Sequence, residues 1–207
     1  MLTLYTSPGS CSRASHIALE ESGLTFDIRL IDFAREDQRQ PDFLALNPKG
    51  RVPALVTDQG VLSESPAILA YIAALAPQAG LAPNAPFDFA RMQAFNLYLA
   101  TTVHVAHAHG RRASRWSDDP AAQKSMAAKV AENMRACFAL IEAELTGEWV
   151  MGDAYSIADP YLFVFTGWLE GDKVDIAEFP NVSAHFKRMS QRPAVQRALA
   201  TEARIKI

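Results

Sequence analysis

Two cysteines in 207 residues are too few for a disulfide framework. That scarcity fits a reducing compartment, and a cytoplasmic location is expected. No apolar run approaches the ~18 residues of a membrane-spanning helix, so no membrane partner is expected. Met1–Ser10 holds no lysine or arginine and reaches Pro8-Gly9. It lacks the charged start and apolar middle of a secretory leader. A basic excess is also missing: 20 Lys+Arg face 23 Asp+Glu, a net charge of −3. Nucleic acid is therefore not an expected partner. Ten glycines and twelve prolines exclude a collagen-like chain, and 49% hydrophobic residues exclude a disordered one. What remains is a globular chain, long enough for one large domain or two small ones.

The chain changes character near residue 80. Leu2–Thr6 is a short β-type run closed by Ser7-Pro8-Gly9. Cys11–Ser22 has helical spacing at Ala14, Ile17, Ala18 and Leu19, with Gly23 as the stop. Thr25–Ile31 alternates as a half-buried strand. Pro53–Thr57 and Val61–Ser63 flank Asp58-Gln59-Gly60 as a hairpin. Pro66–Leu75 reads as a helix with Ser65 at its N-cap. The order is β-α-β, a connecting segment, then β-β-α.

Ala76–Pro86 holds three prolines and reads as a linker. Helical patterns follow at Phe87–Arg112, Pro120–Leu145, Ser156–Glu170, Ala177–Gln191 and Pro193–Ala203. The expected organisation is an α/β domain over residues 1–76, a linker over 77–86 and an all-helical domain over 87–207.

Five stretches could carry chemistry. Cys11 follows the Pro8-Gly9 turn and opens a helix, where the dipole and free N–H groups favour a thiolate. A buried structural cysteine is the alternative, and is the reading for Cys137 in its apolar surroundings. In Asn47 through Leu55, two prolines and a glycine mark a loop entering a strand. A cis Val52-Pro53 bond would leave Val52's backbone free for an extended, peptide-like ligand, although roughly 95% of X-Pro bonds are trans. Ser63-Glu64-Ser65 lies at a helix N-terminus that could take a carboxylate on its N–H groups and an ammonium on Glu64, or could be plain capping. Ser156-Ile157-Ala158-Asp159 is a capping-box variant and a folding element. His104 and His107 stand at i, i+3 near His109, with no Asp or Glu at a neighbouring helical position. No metal is expected there. One histidine lining a cleft and donating a hydrogen bond to a thiolate fits better.

Together these stretches resemble the cytosolic glutathione S-transferase family, most of all its bacterial beta class. Tyr5 through Ile17 is similar to the family's opening Y-x-P-G-A-C-S-x-A-x-H-I. Asn47 through Leu55 resembles N-P-x-G-x-V-P-x-L, Glu64 through Ile68 resembles E-S-x-A-I, and Ser156 through Asp159 resembles S/T-I-A-D. The resemblance implies a thioredoxin-like domain with a mixed sheet that binds glutathione, and a helical domain that completes a pocket for small apolar electrophiles. It carries over Cys11 as the thiol facing glutathione sulfur and His104 as the histidine reaching the site. Ser10 replaces the usual alanine, so the catalytic assignment among Ser10, Cys11 and Ser12 stays open. Val52 carries over as the backbone partner of the cysteinyl unit with Pro53 in cis, and Glu64 and Ser65 as γ-glutamyl contacts. Lys49, Arg51, Arg35 and Tyr5 complete the candidate glutathione contacts. The lysine usual after the histidine is Val105 here, and Arg111, Arg112 or Arg35 could supply the basic contact. A homodimer and glutathione as co-substrate, without a further cofactor, follow from the same resemblance. Glutathione-dependent disulfide reduction through Cys11, and a non-catalytic ligand-binding protein, are the alternatives.

Overall fold

A computed structural model describes residues 1–204; the last three residues of the expected helical domain lie outside them. The N-terminal part is a four-stranded mixed sheet in the order β2-β1-β3-β4. Strand β1 is Leu2–Thr6, β2 Phe26–Leu30, β3 Ala54–Thr57 and β4 Gly60–Ser63. β1 and β2 are parallel, with Leu2 opposite Phe26, so a crossover must join them. Helix α1, Arg13–Ser22, is that crossover, and Gly23 ends it at φ 71° in the left-handed region. β3 runs antiparallel to β1, and the β3–β4 hairpin closes with Thr57 opposite Gly60. Gly60 thus opens β4 rather than completing the turn.

Two short elements between β2 and β3 escape the sequence pattern. They are a 3-10 turn at Asp37–Arg39 and helix α2, Pro41–Leu46. With one buried side chain, Phe43, α2 shows no apolar periodicity. Helix α3 runs Ser65–Leu75. Ser65 is not its N-cap: Glu64 holds that place at φ 72°, and no side chain caps the helix.

The helical part departs from the expected spans in three places. Phe87–Arg112 is not one regular helix: α4 (Pro86–Tyr98) widens into a π turn at Leu99–Val103, then continues as α5 (His104–Arg111). π turns insert an extra residue and recur at functional sites. Pro120–Leu145 divides at Lys129 into α6 (Pro120–Ala128) and α7 (Val130–Glu144). Helix α8, Ala158–Thr166, is shorter than read and buried at every position, the mark of a central helix. α9 (Pro180–Ser190) starts at its proline, a favoured first position, and α10 (Pro193–Glu202) follows.

One apolar cluster joins both parts. Leu4 and Leu55 of the sheet and Ile68 and Ile72 of α3 pack with Met92, Phe138 and Tyr161 of the helical part. The segment between them is pinned: Ala76 and Leu81 are buried, and Ile157 donates its N–H to the Leu81 carbonyl at 2.8 Å. Around this shared core α1 packs on α8, and Trp168 beyond α8 reaches the loop after β1, where the site forms.

Candidate active site

The turn after β1 is held from within by hydroxyls. Ser12 is fully buried, with its Oγ 2.7 Å from Thr6 Oγ1 and 2.5 Å from Ser10 Oγ. It also accepts the N–H of Ser7 at 3.1 Å. Ser10 donates its hydroxyl to the Ser7 carbonyl at 2.7 Å, so its proton is committed to the turn. From outside, Glu202 accepts the Gly9 N–H at 3.0 Å, and the Trp168 indole donates to the Gly9 carbonyl at 2.9 Å. Gly9 sits at φ 69°, which glycine adopts without strain.

Cys11 is half-buried, and its thiol donates to the Val52 carbonyl at 3.7 Å. Burial pushes its pKa above the ordinary thiol range, opposed by the Ser65 hydroxyl and the charge of Arg112. This corrects the expectation of a readily ionised thiol. Cys11 lies two residues before α1, and desolvation outweighs the hydrogen bonds and the Arg112 charge that favour its thiolate. Cys137 is buried on α7.

The Val52-Pro53 bond is cis. Val52 precedes β3 by two residues and lies outside its ladder. The Asn47 amide shapes this loop by donating to the Arg51 carbonyl at 2.7 Å. Gly50, at φ 59°, passes so close to the Gln38 carbonyl that a Cβ would lie 3.1 Å from it. At the head of α3, Lys49 Nζ meets Glu64 at 2.6 Å and the Ser63 hydroxyl at 3.0 Å. Both charges of that pair are exposed.

A cavity of about 790 Å³ opens between this edge of the sheet and the helices. Of the sequence candidates, Ser10, Cys11, Arg51, Val52, His104, Arg111 and Arg112 line it. Lys49, Pro53, Glu64 and Ser65 do not. Tyr5 is also away from it, packing on Phe43 at 5.7 Å between ring centres. Arg35 is exposed and off the wall, whereas Arg39, one turn onward, is on it.

His104 opens α5 and packs edge-on against Phe165 and at 5.1 Å from Trp168. Burial holds its pKa down to about 4, helped by His107 and by Arg112, Arg115 and Arg51. The imidazole is therefore neutral at pH 7. His107 stacks on Trp168 at 4.2 Å and meets Asp172 at 2.7 Å. His109 lies 4.3 Å from Trp116. Among the described residues, no group of three His, Cys, Asp or Glu is placed to hold a metal.

Sequence reasoning missed Trp168, Asp172, Arg39 and Arg115. Trp168 and Asp172 follow α8 in a stretch without a motif, and Arg39 lies in a 3-10 turn without periodicity. No local signal marks them, because only the tertiary fold brings them to this wall.

Known proteins share this fold. Residues 1–74 match the family model for the glutathione S-transferase N-terminal domain, and 95–193 that for the C-terminal domain. Glutathione S-transferase GST-4.5 of Xanthomonas campestris pv. campestris is 34% identical, over 97% of this chain and 98% of its own. A glutathione transferase homologue from Sulfitobacter, solved with bound glutathione, superposes with a TM-score of 0.94 at 45% identity, covering 97% of this chain and 98% of that one. The beta-class glutathione S-transferase of Sphingomonas chungbukensis superposes at 0.85 with 36% identity, over 98% and 100%. With two family domains in order, and relatives aligned along nearly their whole length, the chain belongs to the glutathione S-transferase family and is a transferase enzyme.

Proposed function

We propose that the protein binds glutathione along the cavity edge and transfers its sulfur to a small electrophile. The observation that supports this most is that Cys11, Val52 and His104 line one cavity. In this reading Val52 pairs its backbone with the cysteinyl unit. Glu64 and Ser65, at the head of α3, take the γ-glutamyl end, with Lys49 holding the Glu64 carboxylate. Arg51 takes the glycyl carboxylate.

A free thiol with a pKa near 8.5 is only a few per cent ionised at neutral pH. Lowering that value by two units asks the site for about 2.7 kcal/mol of preference for the thiolate. His104, being neutral, can donate a hydrogen bond to the sulfur, and Arg112 supplies a charge. The Ser10 hydroxyl is turned to the Ser7 carbonyl and must rotate before it could help. Once the thiolate stands beside a bound electrophile, proximity accelerates the step.

The protein also works as a homodimer in the cytoplasm in this reading. Phe87 and Leu97 on α4 and Leu140 on α7 are large, apolar and exposed, which suits burial against a second copy. No helix among the described residues is long and apolar enough to cross a membrane.

The test is retention on immobilised glutathione, followed by conjugation of a panel of activated aryl chlorides with and without glutathione. Retention with glutathione-dependent chloride release is expected. Retention without turnover on any panel member would favour a ligand-binding protein instead.

A further inference from the structure

Five arginines line the cavity beside Cys11: Arg39, Arg51, Arg111, Arg112 and Arg115. They come from three places: the turn before α2, the loop before β3, and the end of α5 with the turn after it. None of the five pairs with a carboxylate among the described residues. Of the nine arginines elsewhere, five do: Arg13, Arg91, Arg135, Arg192 and Arg197 each meet an Asp or Glu. Asp172, also on this wall, is already engaged by His107. Burial, and then the charges of Arg112, Arg51 and Arg39, lower the pKa of Arg115. Arg115 therefore feels Arg112, Arg51 and Arg39 across the cavity, in a chain whose net charge is −3. A cleft that concentrates unneutralised guanidinium groups attracts and orients anions.

Glutathione accounts for part of this charge. Its glycyl carboxylate is assigned to Arg51 and its thiolate to Arg112. Arg39, Arg111 and Arg115 remain, in the lining of the cavity that also holds Phe33 and Trp116. Those rings suit an aromatic body, and the guanidinium of Arg112 already lies 5.7 Å from the Phe33 ring centre.

We propose that the second substrate is an aromatic electrophile bearing a carboxylate or sulfonate, held by Arg111 and Arg115 with Arg39 and seated against Phe33 and Trp116. This rests on the transferase reading above and replaces the wholly apolar electrophile with a negatively charged one. The probe pair is 4-chloro-3-nitrobenzoate and its methyl ester. With either, a carbon–sulfur bond forms and the carbon–chlorine bond breaks. Chloride leaves with the bonding electrons, and the thiol proton passes to water. No oxidant or reductant is needed.

The measurement is kcat/KM for each probe, divided by its uncatalysed rate with glutathione. The carboxylate should be favoured by about ten-fold or more, the effect of one charge-assisted contact. In the double variant Arg111→Gln, Arg115→Gln that preference should collapse. Both arginines are exposed, and the melting transition checks that the variant stays folded. No preference for the carboxylate, or one that survives the double variant, overturns the proposal. Calorimetry with the two preformed glutathione conjugates reads the anion site without turnover. Tighter binding of the carboxylate conjugate, with neither probe turned over, supports the anion site and removes the transferase reading. Equal binding of both conjugates overturns the proposal.

Discussion

The Glu202 carboxylate meets the Arg13 guanidinium at 2.6 Å across 189 residues of chain, and the same oxygen accepts the Gly9 N–H at 3.0 Å. The end of α10 thereby clasps the first turn of α1 and the loop that presents Cys11. Glu202 is almost wholly buried and Arg13 mostly so, which keeps solvent from screening the pair.

Glu202→Gln should therefore loosen that loop. It keeps an acceptor but loses the charge-assisted pair, at a cost of about 1–3 kcal/mol. Urea unfolding should show the loss, and glutathione titration should show weaker binding. Unchanged values in both would mean that the clasp does not set the loop.

Cys11 should form a mixed disulfide with glutathione and Cys137 should not. A Cys11 thiolate attacks oxidised glutathione, and one reduced glutathione leaves with the broken bond's electrons. Mass spectrometry should find one adduct, on the Cys11 peptide. Because burial raises the thiol's pKa, adduct formation should keep accelerating above pH 7. A plateau below pH 7, or an adduct on Cys137 alone, contradicts the placement. In parallel, conjugation by Cys11→Ala and Ser10→Ala separates the two hydroxyl and thiol roles, with the larger loss expected for Cys11.

His104 should make stability depend on pH. Its folded pKa of about 4 lies below the ordinary histidine value. Between the two, the unfolded chain binds more protons, so this contribution is complete above the unfolded value and is lost as pH falls towards 4. About 1 kcal/mol should disappear between pH 7 and pH 5, allowing for partial exposure. His104→Gln should flatten that slope in urea unfolding; an identical slope would contradict the buried neutral imidazole.

Ser156→Ala should harm folding more than chemistry. Ser156 Oγ accepts the Ala158 N–H at 3.2 Å, while Asp159 accepts the Ser156 N–H at 2.7 Å and lies 3.0 Å from His185 Nε2. Losing this cap should cost about 0.5–2 kcal/mol. The melting temperature should fall while the folded enzyme's specific activity holds. A collapse of turnover at unchanged melting temperature would make the motif part of the site.

Light scattering at micromolar protein should give twice the chain mass of 22.7 kDa. Leu97→Arg, placing a charge at an exposed apolar position of α4, should shift it to one chain. A single-chain mass for the unmodified protein removes the dimer.

Much of the fold was legible because it depends on short-range rules. The period-two run at Phe26–Leu30, the glycine stop at Gly23 and the capping box at Ser156–Asp159 each follow from local backbone chemistry. The sequence by itself also determined the charge balance, the scarcity of cysteine and the order of the four motifs. The sequence pattern shows no break in the spans at α4–α5 and α6–α7, because apolar periodicity runs through the π turn and through Lys129. Backbone geometry, rather than residue type, breaks those helices.

Only the tertiary structure decided what the site contains. The place of Cys11 before a helix favours ionisation, yet desolvation outweighs the hydrogen bonds and the Arg112 charge that stabilise its thiolate. Arg35 and Tyr5 had plausible residue types, but their side chains leave the cavity wall to Arg39 and Arg51. Trp168, Asp172 and Arg115 reach it from segments more than 100 residues beyond Cys11 in the chain. Desolvation and charge–charge coupling act through space, so no local spacing encodes them.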